Sequence, residues 1–276
     1  MSNTKERIIS ALIMAAIVIA AVLGGRWTTL LAVWAAGVLC IDELLCNFAK
    51  VKRSDFVFKY VVIFFTLFFV TVNALNARLS LYFFTIASLM LNLFLIYYLF
   101  KIPMEKAFMK NSAIKTPGLI AALVILPLLS FGIHFETENW RQILGMLLIV
   151  TYSMDTGAWF VGKNFGKHKL WPVVSPKKTV EGLIGGMIIA ALCGSLAWYY
   201  FFDQFRWYYS VIFALCGMMS QVGDLVQSKL KREFEIKDSS NLIPGHGGVY
   251  DRIDSLIFLS PFFVIVVKYL GQQFTI

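Results

Sequence analysis

The sequence predicts an all-α, polytopic integral membrane protein with about nine transmembrane helices, and three observations carry that reading. Hydrophobic residues fill 59% of the 276 positions and charged residues only 15%, where soluble domains hold about a quarter charged. Apolar runs near the length of about 20 residues that crosses a bilayer as a helix recur nine times. Lysines and arginines gather in alternate connections between those runs, as membrane topology requires.

The first run, 8–25, is expected to stay as a membrane helix. Ile8 to Leu23 leads to Arg26 and a second apolar run, with no small-residue cleavage site of the kind that ends a secretory signal. Spans 27–48 and 57–76 have the weakest edges, because Asp42 and Glu43 lie inside one and Lys59 borders the other. Spans 79–100, 117–134, 141–161, 180–202, 207–228 and 253–271 complete the set. On this reading residues 1–116 hold the N-terminal helices, about four spans. Residues 117–276 form a catalytic region of about five spans, with polar cytoplasmic loops at 163–179 and 229–252.

The cations test the span count independently. Arg26, Arg78, Arg141, Arg206 and Lys268 fall on one side of the membrane and the other 20 of the 25 on the opposite side. The positive-inside rule places the N-terminus and the basic loops in the cytoplasm and the C-terminus across the membrane. A bacterial cytoplasmic membrane is the expected location. Much of the +9 net charge serves topology and anionic headgroups, as between Lys50 and Lys59 and between Lys101 and Lys115. Cys40, Cys46, Cys193 and Cys216 sit in apolar runs without Cys-x-x-Cys or Cys/His spacing and read as small buried hydrophobes.

The last two cytoplasmic loops differ, since their cations alternate with carboxylates, glycines and hydroxyls. In the eighth span helical spacing puts Ser220, Asp224, Ser228 and Lys231 on one face, with Gln227 beside them. A carboxylate inside a membrane span is costly and by default faces a polar cavity; internal pairing of Asp224 with a lysine one turn away is the plainer alternative. Lys231 and Arg232 extend the stripe outward. Beyond Asp238, "PGHGGVYDRID" supplies Gly245, Gly247 and Gly248, which permit positive φ and close approach of backbone N–H groups to an anion. Asp251 and Asp254 are three apart and share a face if the ninth helix begins near Tyr250. With Asp224 they would make an oxygen-rich site suited to magnesium, and Arg252 and Lys237 are placed to pair phosphate oxygens. His246 reads as a phosphate contact, an acid or a loop-packing residue, whereas His134 and His168 show no catalytic partner.

The preceding loop, "YSMDTGAWFVGKNFGKHKLWPVVSPKKTVEGLIGG", carries a second intramembrane carboxylate, Asp155. In "SPKKT", Ser175 suits an N-cap and Pro176 a first helical position, which would set Lys177 and Lys178 on a helix N-terminus, an anion-binding place. Gly182, Gly185 and Gly186 suit close helix packing. Glu181 reads either as a metal or cation partner or as the i, i+4 partner of Lys177. Carboxylates from separate helices, a glycine turn and about ten cations, all on one membrane face, fit phosphoryl or nucleotidyl transfer to a lipid.

The segment "SKLKREFEIKDSSNLIPGHGGVYDRID", Ser228 to Asp254, resembles the signature of phosphatidate cytidylyltransferases, or CDP-diacylglycerol synthases. It shows S-x-L-K-R, four residues, K-D, and a closing I-P-x-H-G-G-x-x-D-R-x-D. "DTGAWFVGKNFGKHKLWPVVSPKKTVEG" is similar to the same family, with Trp159 where tyrosine is more usual, an exchange that keeps the aromatic ring. The resemblance is strongest from Tyr152 to Asp254.

That resemblance implies conversion of CTP and phosphatidic acid to CDP-diacylglycerol and pyrophosphate. Asp224, Asp251 and Asp254 would hold Mg2+, with room for a second monovalent or divalent cation, and would form the catalytic set with Lys237 and Arg252. Lys177, Lys178, Lys231, Arg232, His246, Gly247 and Gly248 become candidate phosphate contacts, and Asp155, Asp238 and Ser228 members of the polar network. The implied partners are CTP, phosphatidic acid and membrane lipids, without nucleic acid; monomer or homodimer is left open. A CTP-dependent lipid kinase is the rival within enzymes and would release CDP. A secondary transporter is the rival outside them, opposed by polar residues at one face instead of the midplane and by the lack of an internal repeat.

Overall fold

The computed structural model describes residues 3–75 and 77–272. In chain order it runs through α1 (Asn3–Leu23), α2 (Arg26–Asp42) extended by a π-turn (Glu43–Phe48), α3 (Phe56–Ala74), α4 (Arg78–Lys101) and the short α5 (Phe108–Lys115). It continues with α6 (Gly118–Ser130) extended by a 3-10 turn (Phe131–Phe135), α7 (Trp140–Phe165), strands β1 (Lys169–Trp171) and β2 (Ser175–Thr179), α8 (Val180–Phe202), α9 (Trp207–Glu233) and α10 (Tyr250–Gln272). Among the described residues nine helices are long and apolar enough to cross a membrane, which bears out the expected fold class. The chain is a polytopic membrane protein.

The surface agrees with a lipid solvent. Only 6% of the α1 span is buried although its mean hydropathy is 2.3, and Leu12, Leu31, Ile63, Phe83 and Leu196 are all exposed. In lipid such faces cost nothing, while the helices satisfy their own backbone polar groups.

Two compact units divide the chain, Met1–Phe135 with Leu230–Ile253 and Glu136–Lys229 with Asp254–Ile276. The first has its core among α2, α3, α4 and α6, where Leu44, Leu45, Phe65, Leu99, Val124 and Leu129 are sealed from solvent. In the second, α7 and α8 approach closely on glycines. A β-carbon on Gly182 would stand 2.8 Å from the Ala158 carbonyl oxygen, one on Gly186 2.8 Å from that of Met154, and one on Gly185 would collide with Val161. The packing role expected for those three glycines is thus borne out.

Two local expectations need correction. "SPKKT" does not open a helix: Ser175–Thr179 is a strand, paired antiparallel with Lys169–Trp171. The N-cap is Thr179, whose hydroxyl accepts from the Gly182 N–H at 3.1 Å. A serine followed by proline fits a helix start, but Pro176 is equally at home in a small two-stranded sheet where its missing N–H is not needed, and the pairing with Lys169–Trp171 decides. The polar loops are also shorter than 163–179 and 229–252, because α7 runs to Phe165 and α9 to Glu233. Lys231 and Arg232 occupy the last turn of α9, where cations meet the negative end of the helix dipole and favour its continuation.

Candidate active site

In the first unit the middle of the signature segment, Phe234 to Val249, folds as a compact loop between the end of α9 and the start of α10. Ile243 bridges to Gly247, with the Ile243 N–H on the Gly247 carbonyl at 2.8 Å. Gly245 and Gly247 take φ of 73° and 84°, conformations open to glycine at little cost. A β-carbon on Gly247 would lie 2.6 Å from Asp251 Oδ2, and one on Gly248 would collide with the Ser239 hydroxyl and the Glu43 carboxylate. Glycine is therefore required here so that backbone N–H groups can reach carboxylates.

Asp251 is the centre of this arrangement. Its side chain is 3% exposed, and Oδ1 receives the Lys231 ammonium at 2.8 Å. Oδ2 accepts from the Ser239 N–H at 2.7 Å, the Gly248 N–H at 2.9 Å and the Ser239 hydroxyl at 3.0 Å. The anion that the glycine turn meets is in this structure a carboxylate of the protein itself. Arg232, Lys237, Asp238 and Arg252 lie exposed, with the cations available to a soluble anion. His246 packs back on α1, its Nδ1 2.8 Å from the Ser10 hydroxyl. Burial, then the charge of Arg252, holds its imidazole below its usual value, so the loop favours the neutral ring.

In the second unit Asp224 receives the Lys178 ammonium on Oδ2 at 2.6 Å and the Ser228 hydroxyl on Oδ1 at 3.2 Å. The hairpin β1–β2 delivers Lys178 to this pair and leaves Lys177 exposed. Glu181 does not pair with Lys177. It takes the N–H groups of Lys167 and His168 and the His168 ring at 2.6 Å, which ties the hairpin to the first turn of α8 and gives His168 a partner that the sequence did not suggest. Asp254, half-buried, accepts the Ser255 N–H on Oδ1 at 2.7 Å. Asp155 is half-buried on α7.

Among the described residues no three His, Cys, Asp or Glu side chains gather into a metal cage. Asp224 and Asp251 offer oxygen donors only, and each holds an ammonium where another cation could bind. Such donors fit a hard ion that uses one or two carboxylates and completes its shell with water and phosphate oxygens.

Sequence reasoning missed one carboxylate. Glu43, 2% exposed, accepts from the hydroxyls of Ser239 and Ser240, both at 2.8 Å, and from the N–H groups of Val249 at 2.8 Å and Tyr250 at 3.0 Å. Its signal is present, since an acid inside an apolar span carries the same default of function as Asp224, but beside Asp42 near the end of the run it also suits a weak helix edge.

The chain is 40% identical to a phosphatidate cytidylyltransferase of Bacillus subtilis over 150 residues, which are 52% of this chain and 56% of that protein. It is 44% identical to one of Staphylococcus aureus over 143 residues, 50% and 54% of the two chains, and 40% identical to one of Staphylococcus saprophyticus over 154 residues, 53% and 59%. The chain spans about half the length of the curated relatives it matches. The model described as the cytidylyltransferase family matches residues 5–270. The chain belongs to the cytidylyltransferase family.

Proposed function

We propose that the chain transfers the cytidylyl group of CTP to phosphatidic acid, giving CDP-diacylglycerol and pyrophosphate. The observation that carries this reading is Asp251, fixed by Lys231, Ser239 and Gly248 inside the segment with the family's signature. A phosphatidate oxygen attacks the α-phosphorus of CTP, the new P–O bond forms, the bond to the β-phosphate oxygen breaks, and pyrophosphate leaves. The nucleophile is already anionic, so neutralisation and in-line positioning carry the catalytic burden instead of a strong general base.

The residues divide accordingly. Arg232, Lys237 and Arg252 are exposed cations for phosphate oxygens, as is Lys177 of the hairpin. Lys231 and Lys178 already neutralise a carboxylate each, so an arriving phosphate competes with that carboxylate for the ammonium. Asp251 in the first unit, and Asp224 and Asp254 in the second, are the carboxylates available to Mg2+, which when bound would supply further neutralisation of phosphate oxygens. Ser228 orients Asp224, and Asp155 and Asp238 belong to the polar surroundings. The location that fits is a bacterial cytoplasmic membrane with the N-terminus and the signature loop in the cytoplasm, where a nucleotide meets a lipid headgroup; the asymmetry of 20 cations to five supports it.

The test supplies purified protein with CTP, magnesium and phosphatidic acid and follows both products. Pyrophosphate and CDP-lipid appearing in equal amounts is the expected result. Release of CDP with a newly phosphorylated lipid would assign a kinase, and absence of all of these from folded protein would refute the proposal.

A further inference from the structure

The structure assigns to Glu43 the positioning of the signature loop: this buried carboxylate at the end of α2 sets the geometry of Asp251. The inference rests on the proposed cytidylyl transfer and extends it to a residue far from the signature in sequence.

The argument begins with α2. After Asp42 the helix widens into a π-turn, with the Ala49 N–H on the Leu44 carbonyl at 3.1 Å. Single π-turns are rare and often accompany function. Here the turn carries two polar side chains to the same loop. Glu43 takes two hydroxyls and two backbone N–H groups, and the Asn47 amide donates to the Ser239 carbonyl at 2.7 Å. All four donors to Glu43 come from the signature loop or the first residue of α10.

The coupling to Asp251 runs through Ser239. Its hydroxyl is 2.8 Å from Glu43 Oε2 and 3.0 Å from Asp251 Oδ2. A hydroxyl has one proton and can donate to one of the two carboxylates at a time. The next residue but one to Gly248 on the chain is Tyr250, and the amides of Gly248, Val249 and Tyr250 are shared out in order: Gly248 to Asp251, then Val249 and Tyr250 to Glu43. Glu43 thus fixes the two amides that follow the one held by Asp251, and competes for the same hydroxyl. Its charge and two-oxygen acceptance are both used. A glutamine would place an N–H2 group against two donors, and each such mismatch leaves buried donors unsatisfied.

The experiment compares wild type with Glu43→Gln in detergent. Loss of a charge-assisted network predicts that kcat falls by about tenfold or more while KM for CTP stays within about twofold. Amide hydrogen exchange at Gly248, Val249 and Tyr250, read without substrate, should accelerate. Wild-type kcat or unchanged exchange in this variant would overturn the assignment. Should Glu43→Gln not fold, Ser239→Ala tests the same bridge from the loop side, with the same fall in kcat expected and wild-type kcat overturning it. If wild type itself makes no CDP-lipid, cytidylyl transfer fails as the function, and the exchange data alone then decide whether Glu43 holds the loop.

Discussion

Asp224 and Asp251 look equivalent in the sequence, as acids in the two spans that border the signature loop, but their surroundings predict different mutants. Asp251 is 3% exposed and its partner Lys231 14%, whereas Asp224 is 32% exposed beside Lys178. Removing one member of a buried pair leaves the other charge uncompensated at a cost of about 3 kcal/mol or more, while a partly solvated pair loses far less. Both Asp→Asn variants should lose turnover by about a hundredfold or more, as removal of a group that holds charge at a reacting phosphate does. Only Asp251→Asn should also unfold at a clearly lower temperature. Parallel activity and thermal-unfolding measurements check this, and an Asp251→Asn protein with wild-type stability would remove the buried pair from the argument. The residues were legible because charge in an apolar span is conspicuous. Their partners were not, since Lys178 and Ser239 reach them only through tertiary structure.

At the scale of elements, long apolar helices were readable to within a few residues, because period and length both report on burial in lipid. The hairpin β1–β2 was not. Its strand Ser175–Thr179 has the composition of a helix start, and pairing with Lys169–Trp171 overrides that local preference. The π-turn at Glu43–Phe48 has no sequence signature of its own and emerges only from what Glu43 and Asn47 bind. The glycines of α8 were legible through their spacing, and they carry a prediction. Gly186 faces the Met154 carbonyl, a backbone group that cannot rotate away, so Gly186→Val should overpack α7 against α8 and cost roughly 1–3 kcal/mol. Thermal unfolding in detergent reads the loss. A variant as stable as wild type would mean that the two helices tolerate separation.

At the scale of the whole molecule, the distribution of charge predicts the orientation of the spans. Hydropathy alone gives spans but no direction, and the direction comes from 20 cations placed against five. In a background with Cys40, Cys46, Cys193 and Cys216 replaced by alanine, single cysteines report on each side. Ser54, between α2 and α3, and Phe205, between α8 and α9, are both exposed and lie outside the helices. The connection at Ser54 carries Lys50, Lys52 and Arg53, with Lys59 in the first turn of α3, whereas Arg206 is the one cation at Phe205. Retention of the basic segments on the cytoplasmic side predicts that a membrane-impermeant maleimide added to intact bacterial cells (after outer-membrane permeabilisation where one exists) labels Phe205→Cys and spares Ser54→Cys until the cells are broken. The reverse pattern would place the signature loop outside, away from any cytosolic nucleotide, and would defeat the proposed reaction together with the orientation. Labelling of both sites in intact cells would break the alternation of the spans, because an even number of crossings would then separate them instead of the five from α3 to α8, with α5 too short to cross.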